Sequence, residues 1–239
     1  MHLHRTPEKN NTVSNVLDMT SGNPCSLILQ FTMPILLSQV FQQLYNTADA
    51  FIVGKYLGTN ALAAVTSSGN LIFLLVSFFM GLAMGGGVVI SRYFGARDER
   101  QVSRSVHTMI AFGLVSGVLL TIVGVLFTPA FLIWMRTDPE VMPEAVEYFR
   151  YYFLGAIAMV MYNVCRSIMN ALGDSKRPLY YLIFSSLVNI ILDLLFIGGF
   201  HQGVWAAAAA TVISQAASVA LCMIYLLRKG NIYTVEIRS

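Results

Sequence analysis

Six apolar stretches separated by short polar loops dominate the pattern of the chain. They cover residues 26–53, 61–91, 105–135, 148–171, 179–200 and 204–227. A helix needs about 20 residues to cross the hydrocarbon core of a bilayer, and each stretch is long enough. We therefore predict an all-α, polytopic bundle of six transmembrane helices over residues 25–228, between polar tails at 1–24 and 229–239.

The composition supports this interpretation. Hydrophobic residues make up 56% of the 239 positions and charged residues only 11%, against about 25% charged in ordinary soluble domains. The mean hydropathy is +0.66. The net charge of +3 and the absence of a basic run with aromatics argue against nucleic acid binding. The three cysteines show neither metal-ligand spacing nor a disulfide framework.

The basic residues predict the orientation of the chain. All but three of its 15 lysines and arginines fall in the two tails, in the loop after the second stretch, or at the end of the fourth stretch and in the loop that follows it. The three exceptions are Lys55, Arg136 and Arg150. Because basic residues concentrate on the cytoplasmic side, we expect a multi-pass plasma membrane protein with both termini in the cytoplasm. That orientation requires an even number of spans, in agreement with six.

Two carboxylates fall inside predicted spans. Asp49 lies in the first and Asp193 in the fifth, where Asn189 precedes it by one helical turn on the same face. An ionised side chain at mid-bilayer costs about 2.5–3.5 kcal/mol on insertion scales, so such residues are usually functional. The alternatives are a structural hydrogen bond for Asp193 and a solvated charge near the helix end for Asp49.

These oxygens can hold a proton or a hard cation such as sodium. Burial favours the protonated carboxyl group, whereas a bound cation favours the ionised one. Proton and cation binding are then mutually exclusive, which is the physical basis of antiport. The first stretch is also unusually polar, with Gln39, Gln42, Gln43 and Asn46 at helical spacing. We expect this helix to line an aqueous cavity and to kink at Pro34.

Three segments resemble the multidrug and toxin extrusion (MATE) transporters, in particular their prokaryotic branch. They are PILLSQVFQQLYNTADAFIVGKYLG from Pro34, MNALGDSKRP from Met169 and NIILDLLFIGG from Asn189. The resemblance extends over about residues 23–227. It implies a fold of two six-helix bundles around a central cavity, which exports drugs in exchange for protons or sodium ions. It implies neither enzymatic activity nor a cofactor beyond the coupling ion.

The resemblance also implies roles for individual residues. Asp49 and Asp193 would be cation-site carboxylates, with Asn189 and Thr211 beside them, and Asp49, Asn189 and Asp193 would be the sodium ligands. Pro34 would be the kink of the first helix. The residues expected to line the substrate cavity are Gln42, Gln43, Asn46, Tyr148 and Asn163.

The length departs from the family pattern, because two bundles need about twice this chain. We expect one lobe, whose partner is either a missing C-terminal half or a second copy in a homodimer. A truncated fragment that does not transport is the alternative. A flippase for lipid-linked substrates on the same fold would need more cationic groups in the cavity. An acidic interior favours cationic amphiphiles instead. The motifs of an intramembrane protease are missing.

Overall fold

The computed structural model describes residues 23–227, apart from the side chains of residues 68, 70 and 71. The predicted tails therefore lie outside the described residues, except for Asn23 and Pro24. The elements are α1 (Pro24–Tyr56), α2 (Thr59–Gly95), α3 (Glu99–Trp134), α4 (Met142–Leu154), α5 (Ala156–Ala171), α6 (Lys176–Asp193), a π-helix (Leu194–Gly199) and α7 (Trp205–Leu227). Between residues 23 and 227 there is no strand, and the prediction of an all-α helical bundle is confirmed.

The fourth predicted span is a bent pair of helices rather than one straight helix. Its first part, α4, begins at Met142, ahead of the predicted start, and meets α5 at an angle of 50°. The break is at Gly155, where a Cβ atom would lie only 2.0 Å from a methyl group of Val212. Five helices of the described chain are long and apolar enough to cross a membrane, and the bent pair makes the sixth span.

The fifth predicted span changes its helix type halfway. Helix α6 ends at Asp193, and the chain continues as a six-residue π-helix. The backbone N–H of Phe200 donates to the carbonyl of Leu195, five residues back, at 2.9 Å. Hydropathy alone could not distinguish this segment from an α-helix, because both bury the same apolar side chains. Single π-turns are rare and occur frequently at functional sites.

Glycines let the central helices approach one another closely. A Cβ atom on Gly124 of α3 would lie 2.2 Å from the ring of Phe153, and one on Gly117 would lie 2.8 Å from the backbone of Ile157. Phe149 and Phe153 are almost completely buried in this core. The outward faces carry large exposed apolar side chains, among them Phe73 and Trp134. Small residues inside and apolar residues outside are the arrangement expected of a bundle surrounded by lipid.

A polar cluster connects the turn between α5 and α6 to the end of α7. Asp174 is buried, accepts a hydrogen bond from the backbone of Arg177 at 3.2 Å and forms an ion pair with its guanidinium group. That guanidinium group also donates to the Tyr225 hydroxyl and lies 4.1 Å from the centre of its ring. Gly173 supplies the positive φ of 83° that this turn requires. The segment MNALGDSKRP therefore has a clear structural role.

The close approach at Gly155 predicts a large effect of a single methyl group. Gly155→Ala should lower stability by about 1–3 kcal/mol, the usual cost of overpacking a core. The measurement is the thermal unfolding midpoint of the purified protein in detergent. Gly85→Ala is the matched control, because its Cβ atom would meet nothing within 4 Å. Adding Val212→Ala should restore much of the loss, and equal midpoints for Gly155→Ala and Gly85→Ala would contradict this packing.

Candidate functional site

Asp49 and Asp193 meet inside the bundle. Asp49 is 7% exposed on α1 and Asp193 is fully buried at the end of α6. Their carboxyl groups are close enough to interact directly with each other. The alternative of a solvated charge at the helix end therefore does not hold for Asp49. Two helices far apart in the sequence thus bring the two intramembrane carboxylates to one place.

Asn189 and Thr211 lie beside this pair, as the resemblance implies. Both are buried, on α6 and α7 respectively. In one orientation the Asn189 amide donates to Asp193 Oδ2 at 3.0 Å and accepts from the Thr211 backbone N–H at 3.1 Å. In the other orientation its nitrogen donates to the Thr211 hydroxyl at 3.3 Å. The spacing of four residues between Asn189 and Asp193 places both on the face that meets α7.

Three tyrosines surround the carboxylates, of which the sequence predicted only Tyr148. Tyr45, Tyr148 and Tyr152 are buried and lie close enough to Asp49 to interact with it electrostatically. The Tyr45 side chain lies near that of Thr211, and the rings of Tyr148 and Tyr152 are 5.8 Å apart. A spacing of four residues could have identified both missed residues, since Tyr45 precedes Asp49 and Tyr152 follows Tyr148 by one turn.

The other four residues expected to line the cavity lie closer to the surface of the bundle than Asp49 and Asp193. Gln43 and Asn46 are exposed on α1, together with Gln39, whereas Gln42 is half-buried. Asn163 is half-buried on α5, and its amide donates to the Met159 carbonyl of its own helix at 2.9 Å. Tyr148 thus joins the carboxylates in the interior, and the remaining four predicted cavity residues do not.

Pro34 lies inside α1, which continues through it from Pro24 to Tyr56. Pro34 is buried, and its carbonyl accepts a hydrogen bond from the Ser38 hydroxyl at 2.8 Å. Proline removes one backbone hydrogen bond from the helix and clashes with the preceding turn. Helix α1 therefore has its weakest backbone position about four turns before Asp49.

The carboxylate pair lacks neutralising partners within the described part of the chain. Neither aspartate forms an ion pair there, and the Oδ1 atom of each has no hydrogen-bond donor. A buried polar atom without a partner is costly. Two carboxyl groups in contact can share a proton or bind a cation between them, and either arrangement would satisfy these oxygens. No group of three or more His, Cys, Asp or Glu side chains among residues 23–227 could form a conventional metal site.

These features define a class: a multi-pass helical membrane protein with a buried acidic pair in the middle of its bundle. Comparison with known sequences identifies the family, because the MatE family model matches residues 34–195. The chain belongs to the MATE transporter family.

Relatives and solved structures agree with this assignment. The chain is 36% identical to the probable multidrug resistance protein YoeA of Bacillus subtilis, over 84% of this chain and 44% of YoeA. It also superposes on a MATE transporter solved in a bent conformation and in a straight conformation. The TM-scores are 0.85 and 0.81, with 29% identity in both cases. The alignments cover 91% of this chain and 49% and 48% of those chains. The chain thus spans about half the length of the relatives it matches.

The contacts of Thr211 predict the effect of removing its hydroxyl group. Thr211→Val keeps the shape of the side chain but removes the hydroxyl to which the Asn189 amide donates in one of its orientations, so it should cost about 1–3 kcal/mol of stability. Thermal unfolding in detergent measures the loss. Thr66→Val is the matched control, since Thr66 is exposed and its hydroxyl bonds only to carbonyls of its own helix. An unfolding midpoint for Thr211→Val as high as that of the control would show that the buried hydroxyl contributes nothing.

Proposed function

We propose that this chain is one lobe of an exporter that expels cationic or amphiphilic small molecules in exchange for protons or sodium ions. The observation that carries the proposal is the buried contact between Asp49 and Asp193, which no ion pair neutralises within the described residues. Such a pair changes its charge whenever a proton or a cation binds. A purely structural pair would gain more from hydrogen-bond donors at both Oδ1 atoms, and these are missing there.

Competition couples the ion to the substrate. A cationic substrate is attracted by the ionised pair, and a proton or sodium ion bound at Asp49 and Asp193 removes that attraction. Sodium would be held by carboxylate oxygens of both residues and by the Asn189 amide oxygen, which suit a hard cation. The ion drives transport only if it favours one conformation of the lobe over the other. The bent and straight structures of a similar MATE transporter support the existence of two such conformations.

The exposed polar residues of α1 support a cavity shared with a second lobe. Gln39, Gln43 and Asn46 are exposed along a helix in which Leu36, Leu44 and other apolar residues are exposed as well. Amide side chains facing hydrocarbon would leave polar groups unsatisfied. We therefore place this face against the cavity and a second six-helix lobe, contributed by a C-terminal half or by a second copy of the chain. Both termini face the cytoplasm in this arrangement, following the distribution of basic residues.

Cationic substrates fit this lobe better than lipid-linked phosphates, since its buried ionisable centre is acidic. A phosphate group would be repelled by the ionised pair.

Replacing Asp193 should abolish coupling. In an assembly that exports a fluorescent cationic dye, we expect Asp193→Asn to reduce ion-driven efflux about tenfold or more, because the amide neither takes up a proton nor carries the negative charge that attracts a sodium ion. The measurement is dye efflux from proteoliposomes driven by an imposed proton or sodium gradient. Asp49→Asn should behave in the same way. Glu140→Gln is the control, since Glu140 is exposed in a loop. Wild-type efflux with unchanged pH dependence in Asp193→Asn would refute the site.

Replacing Pro34 should affect the rate of exchange rather than substrate affinity. Pro34→Ala restores the missing backbone hydrogen bond and stiffens α1. We expect efflux to slow several-fold while dye affinity, measured by fluorescence anisotropy, stays near the wild-type value. Pro129→Ala in α3 is the comparison, because Pro129 also lies inside a long helix but not in the helix that carries Asp49. Unchanged efflux rates in Pro34→Ala would exclude a role for the kink.

A further inference from the structure

The π-helix after Asp193 makes a second contact with α1. At the end of α1 the ring of Tyr56 covers Gly198, where an added Cβ atom would lie 3.4 Å from the ring. Asp49 and Tyr56 are seven residues apart, two turns of α-helix, so they share one face of α1. Helix α1 thus touches α6 at Asp193 and the π-helix at Gly198.

The π geometry explains how both contacts fall on the same side. Successive residues of an α-helix are about 100° apart around the axis, so positions 193 and 198 would point about 140° apart. In a π-helix each residue turns by roughly 80°, which leaves the two positions only about 40° apart. An uninterrupted α-helix would therefore turn Gly198 away from α1 while Asp193 still faced it.

We propose that the π-helix, through the contact of Gly198 with Tyr56, is the positioning element that sets Asp49 opposite Asp193. This inference rests on the proposed function, and it assigns a role to residues that do not touch the ion. A Cβ atom at Gly198 would just reach van der Waals contact with the ring of Tyr56, so only a larger side chain would compete with the ring, which fixes the position of α1 against α6. A bulky side chain at position 198 would displace Tyr56 and, with it, the helix that carries Asp49.

The test measures the carboxyl groups directly rather than transport. The full-length chain is reconstituted in liposomes, and the carbonyl band of protonated carboxyl groups is followed by infrared difference spectroscopy over pH. Asp49→Asn and Asp193→Asn identify the contributions of the two groups. In the wild type we expect two separate titration steps, since carboxylates in contact titrate as a coupled pair.

The test variant is Gly198→Leu and the matched control is Gly199→Leu. Gly199 belongs to the same π-helix, but its Cβ atom would meet only atoms at 3.9 Å and beyond. We expect Gly198→Leu to bring the two steps closer by about one pH unit or more, because separated carboxyl groups no longer interact. Gly199→Leu should leave them unchanged.

A second variant approaches the contact from α1. Tyr56 is 44% exposed, so Tyr56→Ala removes the ring without opening a buried core, and Tyr56→Phe keeps the ring as its control. Tyr56→Ala should reproduce the effect of Gly198→Leu and Tyr56→Phe should not. The positioning role would be overturned if the two titration steps were unchanged in Tyr56→Ala. It would also be overturned if Gly198→Leu and Gly199→Leu changed the titration equally. A wild-type spectrum with no band that disappears in Asp193→Asn would overturn the carboxylate site itself, and the positioning role with it.

Discussion

The contact between two buried carboxyl groups is the constraint on which the rest of the lobe depends. Asp49 and Asp193 come from helices α1 and α6, and each has an oxygen without a donor from the described residues. Holding them together in an apolar bundle requires a polar shell, which Asn189, Thr211 and three tyrosines supply. Without a proton or a cation the buried pair is unfavourable, and binding either one stabilises it. The proposed exchange of ions for substrate follows from this.

The sequence predicted those parts of the structure that single segments determine. Hydropathy located the spans, and charge within the spans located Asp49 and Asp193. A spacing of one helical turn correctly joined Asn189 to Asp193, and the resemblance to MATE transporters added Thr211 from α7. These residues could be singled out because a polar group in a membrane helix is unfavourable enough to stand out from its surroundings.

The parts that the sequence did not reveal depend on contacts between helices. At the break, Gly155 lies against Val212 on α7, more than fifty positions away, and the π-helix lies against Tyr56 at the end of α1. Neither contact can be recognised from the hydropathy pattern, because apolar residues face both the lipid and the interior of the protein. The exposed glutamines of α1 and the buried Tyr148 were predicted to line one cavity. Their different depths became clear only from the packing of α4 against the other helices.

The unequal attachment of the helices has a mechanical consequence. Only 11% of the most apolar stretch of α1 is buried, against 39% for α7. Few side chains of α1 pack inside the lobe, so few contacts with the other helices would be lost if α1 moved. The helix that carries Asp49 is therefore held by fewer packing contacts than the helices at the centre of the bundle. In the proposed mechanism, the contact that must change when α1 moves is the one with α6 at Asp49 and Asp193. This is also where the coupling ion binds.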